Sequence, residues 1–585
     1  MENQNDVYFN PQMQYPQQSY KPYVPPKKIY QPFTKKDGVF ALLSLVAAFL
    51  AVDFALFKGF NIGFTIAYFA VFVVTTAYLF KGDNKKSAFS LICGALSLSG
   101  AVTFALFDNK IINAIMFFLV FGLYAVYTVG ISGTFTKPQG SFKMLGDLAL
   151  SVFNAIPGLG DAFGSMKATS KKNKSVIQAL IGFAVAVPFL GVIIPLLASS
   201  DAAFEGLIKK LVENIGIYIA ELALALIIAP VFFSFLFCKT KSPQNKPSKN
   251  NAHRILSNPL SVTFLSVISV TYIVYLFSQL AYFFSAFKGI LPDDYHYTAS
   301  AFARRGFYEM FAICAINVAI ISLVSIFTKR KRAKLSPAVK VLSLFISLFS
   351  VLLVVIAMQK MRLNISIYGL SNNRVLVCTL MVMLLIIIAF FIVHIFAPKV
   401  SYMQPIIVIC SAMFIALSFA NIDALCADYN IKAYQSGKIK TLDTVNIRKS
   451  SDSAVPYLVD LAKSEDKVIS NSAKTQLTMY VNTNGYLEFE RELDKYVGIK
   501  IDSDVFDFRR YNRARNTAYT MLRDYYASLD ENGRKPMNEL DRMYREYSYD
   551  NWDDAFIDSS HDNYELYYYY NPKTGLYDKT KKQTW

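Results

Sequence analysis

Eleven apolar stretches, each about as long as a membrane-crossing helix, constrain the fold of this 585-residue chain more than any other feature. An apolar helix of about 20 residues crosses the hydrocarbon core of a bilayer and satisfies its own backbone hydrogen bonds there. The sequence therefore predicts an all-α polytopic membrane protein with about 11 transmembrane helices. The predicted crossings are 38–57, 60–80, 87–107, 111–134, 176–199, 214–238, 259–287, 306–327, 337–358, 375–397 and 402–426.

The composition agrees with a membrane protein. Apolar residues make up 54% of the chain and charged residues only 17%, which is outside the range of ordinary soluble domains. Residues 140–168 differ from the crossings, because apolar residues there recur at helical spacing among Lys143, Asp147 and Asn154. That segment is too short and too polar to span. We expect an interfacial helix near 140–168 that ends at Pro157 and Gly158.

The positions of Lys and Arg predict the orientation of the chain, since these residues collect on the cytoplasmic side of membrane proteins. With the N-terminus in the cytoplasm, the inward segments carry 26 Lys and Arg residues and the outward segments carry 10. After an odd number of crossings, the C-terminus is then extracytoplasmic. The formal net charge of +18 belongs to these flanking residues, so no nucleic-acid partner is expected.

Four regions follow from this pattern. Residues 1–37 are rich in Gln, Pro, Tyr and Asn, which predicts a disordered cytoplasmic tail. Residues 38–426 are the predicted transmembrane domain, and residues 427–530 are a predicted helical extramembrane domain. Residues 531–585 are a Tyr-rich acidic extension, in which the stretch from Tyr570 to Tyr577 predicts a hairpin.

Helical spacing within 427–530 predicts three helices. Two short apolar faces, one around Leu458 and one around Leu477, predict a single helical hairpin, and a longer stripe predicts a helix over 505–528. The longer helix carries a cluster of arginines at Arg509, Arg510, Arg513 and Arg515. We expect these to pair with nearby aspartates, namely Asp502, Asp504, Asp507 and Asp524, in preference to lipid phosphates.

The sequence contains no recognisable catalytic or metal-binding motif. It has no Gly-rich phosphate loop, no His-Glu-x-x-His, no Cys-x-x-Cys and no nucleophile elbow, and its four histidines lack ligand spacing. The six cysteines lie in or beside apolar stretches, where we expect them to be small buried apolar side chains. We therefore assign no catalytic residue, no cofactor and no metal.

Ionisable residues within the crossings are the better candidates for function, because a charge in hydrocarbon requires a partner or a water-filled cavity. Asp53 and Glu221 lie inside apolar stretches, close enough to the predicted outer boundary to be hydrated. Glu309 lies one turn inside the eighth crossing, where Arg305 at i−4 shares its helix face. We expect that pair to fix the start of the helix, with a transport pathway as the alternative.

Four short stretches resemble a known family. The stretch Ala303-Arg304-Arg305-Gly306-Phe307-Tyr308-Glu309 is similar to a signature of bacterial multi-pass proteins in domain-of-unknown-function family 4173 and its relative, family 4153. The stretches 197–204, 368–374 and 421–430 are similar to the same family. The resemblance covers roughly residues 140–530 and implies membrane residence without a known mechanism.

All four stretches fall on the outward side of the predicted topology. The sequence therefore predicts one polar surface at the outer membrane boundary, with helix caps and headgroup anchors as the simpler interpretation. The candidate residues are Asp201, Arg304, Arg305, Glu309, Arg362, Arg374 and Asp423.

Three functional hypotheses remain open at this point. The first is a non-enzymatic envelope protein of the plasma membrane, in contact with the bilayer, whose outward C-terminal domain serves interaction, sensing or assembly with an envelope protein or polymer. The second is a transporter or channel for a small or lipid-like solute. The third is an enzyme that modifies lipid or envelope polymer at the outer face. A transporter requires a polar cavity that reaches the bilayer middle, and an enzyme requires carboxylates or histidines in an outer cleft.

Overall fold

The structure, a computed structural model, is mostly helical in the residues that it describes. The described residues are 33–56, 59–80, 87–133, 135, 143–153, 156, 159, 161, 165, 202–241, 255–287, 307–329, 335–397, 400–492, 495–502, 507–535, 537–538, 564–571 and 576–583. The first eight helices are α1 (Lys35–Ala51), α2 (Ile62–Leu79), α3 (Ala88–Leu106), α4 (Lys110–Ile131), α5 (Lys143–Phe153), α6 (Ala202–Lys241), α7 (Asn258–Phe287) and α8 (Phe307–Phe327).

Eight further helices and four strands follow. The helices are α9 (Pro337–Tyr368), α10 (Asn372–Phe396), α11 (Met403–Phe419), α12 (Ile422–Gln435), α13 (Thr444–Lys449), α14 (Val455–Ala462), α15 (Lys467–Thr483) and α16 (Arg513–Ser528). The strands are β1 (Leu487–Glu492), β2 (Lys495–Ile501), β3 (Tyr564–Asn571) and β4 (Leu576–Gln583). A π-helical turn (Val52–Leu56) ends α1, and 3₁₀ turns lie at Asp452–Ala454 and Phe508–Arg510.

The all-α polytopic fold is confirmed. Within the described ranges, nine helices are long and apolar enough to cross a membrane, and the bent pair α11 and α12 makes a tenth if it is counted as one span. These correspond in order to the predicted crossings except 176–199, which lies outside the described residues. The segment 140–168, for which an interfacial helix is predicted, contains the helix α5, and its place at the membrane interface stays a prediction.

The eleventh predicted crossing, 402–426, is a bent pair of helices that counts as one span only if α11 and α12 are taken together. The chain bends by 61° between α11 and α12. Asn421, between them, has a φ of +50°, a left-handed conformation that asparagine tolerates better than most residues. Apolar residues continue past the bend, so hydropathy alone extends the crossing too far.

The membrane helices pack around two groups of buried apolar residues. One group joins the helices α1, α2, α3, α4, α6 and α11, and its members Phe104, Met116 and Phe233 are fully buried. The other joins α7, α8, α9 and α10, with Leu265 and Ile346 fully buried. Hydroxyl pairs add specificity to the first group, since Thr75 and Tyr124 lie 2.6 Å apart and Thr76 and Tyr127 lie 2.8 Å apart, oxygen to oxygen.

The C-terminal domain, comprising α13 to α16 with β1 and β2, has its own core. Leu458, Leu477, Tyr519 and Tyr526 are buried there. The helical hairpin predicted around Leu458 and Leu477 is α14 and α15. Of the helix predicted over 505–528, α16 covers only Arg513–Ser528, because Phe508–Arg510 form a separate 3₁₀ turn. The antiparallel pair of β1 and β2 was not predicted. The hairpin predicted around Tyr570 and Tyr577 corresponds to β3 and β4, which pair antiparallel.

This domain lies against one end of the membrane bundle, where α1 and α3 end and α2 begins. The amide of Ile62, the first residue of α2, donates to the carbonyl of Tyr511 at 2.9 Å. Nδ2 of Asn512, which is fully buried, donates to the carbonyl of Phe104 in α3 at 3.1 Å. At the opposite end of the bundle, the Tyr78 hydroxyl donates to Asp37 at 2.8 Å. The C-terminal domain is therefore at the far end of α1 from Lys35.

Gly63 allows the closest approach between the two parts. A Cβ atom at this position would lie 2.5 Å from the carbonyl oxygen of Arg509, a distance that real Cβ atoms do not adopt. We expect Gly63→Ala to destabilise the protein by about 1 to 3 kcal/mol, because the backbone on one side has to move. The expected result is a lower melting temperature of the detergent-purified protein and faster cleavage of the C-terminal domain by trypsin.

Gly122→Ala is the matched control for this substitution. Gly122 also lies in a membrane helix, and a Cβ atom there would meet no atom within 4 Å. We expect this variant to be neutral or slightly stabilised, since alanine favours the helix. Equal melting temperatures for the two variants would contradict the close approach at Gly63.

Candidate functional site

The turn between α3 and α4 starts the contact between the membrane helices and the C-terminal domain. Asn109 caps α4, since its Oδ1 accepts from the amide of Ile112 at 3.0 Å. Its Nδ2 donates to both carboxylate oxygens of Asp423, at 3.1 and 2.9 Å. Asn109 thus caps α4 and also binds the carboxylate of Asp423 in α12.

Asp423, in the first turn of α12, is the centre of this contact. It is buried, with 3% of its surface exposed. Besides Asn109, its carboxylate accepts from Nδ2 of Asn372 at the start of α10 and from the Ser451 hydroxyl at 2.7 Å. Asp423 therefore joins four segments that are far apart in the sequence. We call Asn109, Asn372, Asp423 and Ser451 the Asp423 junction.

The connection between α9 and α10 lies beside this junction. Gly369 has a φ of +74° and leaves no room for a Cβ, which would lie 2.3 Å from Oδ1 of Asn430. The Asn430 side chain accepts from the amide of Leu370 at 2.7 Å and donates to its carbonyl at 2.8 Å. Nη1 of Arg374 donates to the carbonyl of Gly369 at 2.7 Å. The structure therefore brings Arg374 and Asp423, two residues of the predicted polar surface, to the same region.

A second cluster lies next to the junction, around the partly buried Asp108 and the buried Asp452. The amide of Asp452 donates to Oδ2 of Asp108 at 3.2 Å. The Asp452 carboxylate accepts from the Tyr480 hydroxyl at 2.5 Å and from Nε of Arg515 at 3.3 Å. Burial raises the pKa of Asp108 well above its usual range, and the adjacent Asp452 raises it further. Asp108 is thus a neutral carboxylic acid over a wider pH range than an exposed aspartate.

Asp53 makes the third contact between the two parts. It lies in the π-helical turn after α1 and is 8% exposed. Nη1 of Arg509 donates to its two oxygens at 3.0 and 3.2 Å, and the same guanidinium pairs with Asp507 at 2.8 Å. These two carboxylates contribute to raising the pKa of Arg509, chiefly through its hydrogen bond with Asp507. Asp53, predicted as an intramembrane charge, therefore links the bundle to the C-terminal domain.

The expected pairing of arginines with local aspartates holds for part of the cluster. Arg509 pairs with Asp507, as expected, but also with Asp53. Arg515 pairs with Asp452, a residue outside the expected set. Asp524 pairs with Arg523 instead of with the cluster.

The other predicted residues lie elsewhere or outside the described chain. Asp201, Arg304 and Arg305 are outside the described residues, so the expected pair of Arg305 and Glu309 is too. Glu309 is exposed in the first turn of α8, within electrostatic range of Lys360, and Arg362 is exposed in α9. Within the described ranges, no hydrogen bond or ion pair joins Glu309 or Arg362 to Asp423. Glu221 is 1% exposed in α6, one turn before the buried Ala225.

A cleft of about 590 Å³ opens beside the junction. Both parts of the protein line it: the end of α3 and the start of α12 on one side, and α14 and α16 on the other. Its ionisable side chains are Asp460 and Arg513, and its lining includes the rings of Phe107 and Tyr457. The remaining lining residues are Leu106, Asn421, Ala424, Ser453, Pro456, Ala514 and Thr517.

Sequence reasoning missed most of this arrangement. The signal that was available is the polar pair Asp108 and Asn109, which separates two apolar stretches without a glycine or a proline. The partners Ser451, Asp452 and Arg515 lie hundreds of residues away, so spacing could not identify them. Among the described residues, no group of three or more His, Cys, Asp or Glu side chains is placed to hold a metal ion.

The comparisons with known proteins identify one family. The model of the domain of unknown function DUF4153 matches residues 93–461. Family 4153 is one of the two related families that the four short stretches resemble. The matched range contains every residue of the Asp423 junction. No curated protein and no solved structure matches the chain.

The raised pKa of Asp108 predicts how stability depends on pH. Because the pKa of Asp108 is higher in the folded than in the unfolded state, its contribution to the free energy of unfolding is fully present below about pH 4. That contribution is lost as the pH rises through the folded-state pKa. We expect Asp108→Asn, which keeps a neutral acceptor for the Asp452 amide, to flatten the fall of the melting temperature as the pH rises above about 4, as scanned in detergent at about half-unit steps.

Asp460→Asn is the control, because Asp460 is exposed on α14 of the C-terminal domain. We expect its melting curve to follow the wild type at every pH. A parallel pH dependence for wild type and Asp108→Asn would show that Asp108 does not titrate as its surroundings predict.

Proposed function

The chain belongs to the DUF4153 family of unknown function, and we propose that it is a non-enzymatic membrane protein of the bacterial cell envelope that binds a partner at its outer face. The proposal places the N-terminus in the cytoplasm and the C-terminal domain outside the plasma membrane. The partner is an envelope protein or polymer. The observation that carries the proposal is the cleft that the membrane helices and the C-terminal domain form together.

The position of the C-terminal domain supports the outward orientation. The domain contacts Asp53 at the end of α1, whereas Lys35 begins that helix at the opposite end of the bundle. The segments on the Lys35 side carry 26 of the Lys and Arg residues of the predicted transmembrane topology, against 10 on the other side. Since basic residues favour the cytoplasmic side, the C-terminal domain belongs outside.

The state of the carboxylates supports binding over catalysis. Asp423 accepts hydrogen bonds from three side chains, and Asp452 accepts from Tyr480 and Arg515, so both are engaged in holding the two parts together. The ionisable residues that line the cleft, Asp460 and Arg513, have opposite charges. Such a pair positions a polar ligand without providing two carboxylates for acid and base catalysis.

The chemistry of the cleft supports a partner with both apolar and charged groups. Phe107, Pro456 and Tyr457 offer apolar and aromatic surface, and Arg513 and Asp460 offer charge. Aromatic and arginine side chains contribute most to binding where proteins meet their partners. A polypeptide segment or a polymer with ring faces and charged substituents satisfies both kinds of surface.

The orientation is tested by an epitope tag after Trp585 in the full-length protein. We expect an antibody to reach this tag in spheroplasts without permeabilisation. A tag placed before Met1 is the matched control, and we expect it to be accessible only after permeabilisation. If the tag after Trp585 also requires permeabilisation, the C-terminal domain is cytoplasmic and the proposed outward partner is excluded.

A further inference from the structure

A small cavity lies next to the Asp423 junction, between the first turn of α4 and the bend that separates α11 from α12. Its volume is about 10 Å³, which is about the space that one water molecule or one small ion occupies. Oxygen-bearing side chains dominate its polar lining. These are Asn109, Asn113, Ser418, Asn421 and Asp423.

Three oxygens of these residues are buried and have no hydrogen-bond partner in the described part of the chain: Oδ1 of Asn113, Oγ of Ser418 and Oδ1 of Asn421. Asn113 is 2% exposed and Ser418 is 4% exposed. The Asn113 amide group donates to the carbonyl of Phe107 at 3.1 Å, which leaves its oxygen for the cavity. A buried polar atom without a partner is costly, so three around one cavity point to a ligand that contacts all of them.

The backbone at Asn421 is shaped for the same occupant. Asn421 precedes α12 at the position where asparagine usually caps a helix, yet its side chain makes no capping hydrogen bond. Its left-handed φ of +50° sets the bend. The C-terminal end of α11, which carries partial negative charge, points toward this bend.

The charge of Asp423 identifies the occupant further. Its carboxylate is 3% exposed and accepts only from the neutral side chains of Asn109, Asn372 and Ser451. Among the described residues, no Lys, Arg or His lies within ion-pair distance of it. A buried carboxylate requires a compensating positive charge, and a cation in the adjacent cavity supplies it.

We propose that this cavity binds a single sodium ion. A water molecule satisfies the same three groups, because it donates to the two asparagine oxygens and accepts from the Ser418 hydroxyl, but it brings no positive charge to the Asp423 carboxylate, whereas a cation does. Calcium takes six to eight oxygen ligands, and magnesium keeps several bound waters, for which a cavity of about 10 Å³ has no room. One carboxylate with several neutral oxygens at the end of a broken helix balances one positive charge, and the small volume favours sodium over potassium.

Sodium at this position would join α4, α11 and α12 directly beneath the C-terminal domain. Because Asp423 also holds Ser451, the ion would stabilise the attachment of that domain to the bundle. The sodium site does not depend on which side of the membrane the C-terminal domain faces. Its test is therefore independent of the test of the proposed function.

The test is the melting temperature of the full-length detergent-purified protein as NaCl replaces choline chloride at constant ionic strength. We expect sodium to raise the melting temperature saturably and potassium to raise it less. Retention of sodium-22 by the purified protein, near one ion per chain, is the direct measurement. Coinciding sodium and choline curves without sodium-22 retention would show that the cavity holds only water, which overturns the proposal.

Three variants locate the ion. We expect Ser418→Ala to raise the sodium concentration for half-maximal stabilisation about tenfold, since it removes one oxygen from a charged ligand. Asn421→Gly removes a second oxygen but keeps the left-handed backbone, so it tests the site in a chain that folds. Ser411→Ala is the control, because Ser411 is buried in the same helix and does not line the cavity. A sodium response unchanged in both Ser418→Ala and Asn421→Gly places the ion elsewhere and also overturns the proposal.

Discussion

The buried carboxylate of Asp423 is the interaction on which the attachment of the C-terminal domain depends. Hydrogen bonds to a charged group contribute roughly 1.5 to 3 kcal/mol each, and this carboxylate accepts them from the turn between α3 and α4, from the start of α10 and from the turn before α14. Loss of the carboxylate would leave Asn109, Asn372 and Ser451 without their shared acceptor. The Asp423 junction therefore acts as one unit, because its three donors share a single acceptor.

Two further contacts surround this centre and determine the angle of the domain. The pair of Asp53 and Arg509 fixes the end of α1, and the bond from Asn512 to the Phe104 carbonyl fixes the end of α3. Between these contacts the two parts leave an open cleft, not a continuous interface. A rigid attachment with a cleft at its edge is the arrangement on which the proposed binding of a partner rests.

The range that the family model matches contains the Asp423 junction but not every contact between the bundle and the C-terminal domain. Residues 93–461 contain Asn109, Asn372, Asp423 and Ser451, whereas Arg509 and Arg515 lie beyond the matched range. Two stretches that resemble the family, 368–374 and 421–430, meet in the structure through Asn372 and Asn430. The stretch 303–309 is described only from Phe307 onward, so its relation to the joint stays a prediction.

Hydropathy predicted the membrane helices well, because a long apolar run in a bilayer has one stable backbone conformation. It failed at Ala420 and Asn421, where a bend depends on a single left-handed residue inside an apolar run. Strands β1 and β2 were missed because Leu487 and Phe489 make too short an alternation to distinguish from a helix end. The pair of Asp53 and Arg509 is 456 residues apart, so only the fold could reveal it.

The most direct test of the docked arrangement is photo-cross-linking in native membranes from a benzophenone amino acid at position 107, where Phe107 lines the cleft. The arrangement predicts intramolecular cross-links to the first turns of α14 and α16, read out by mass spectrometry. The same probe at Phe118, which is 76% exposed on α4, should give no cross-link to the C-terminal domain. Cross-links from position 107 that miss the C-terminal domain would contradict the attachment described above.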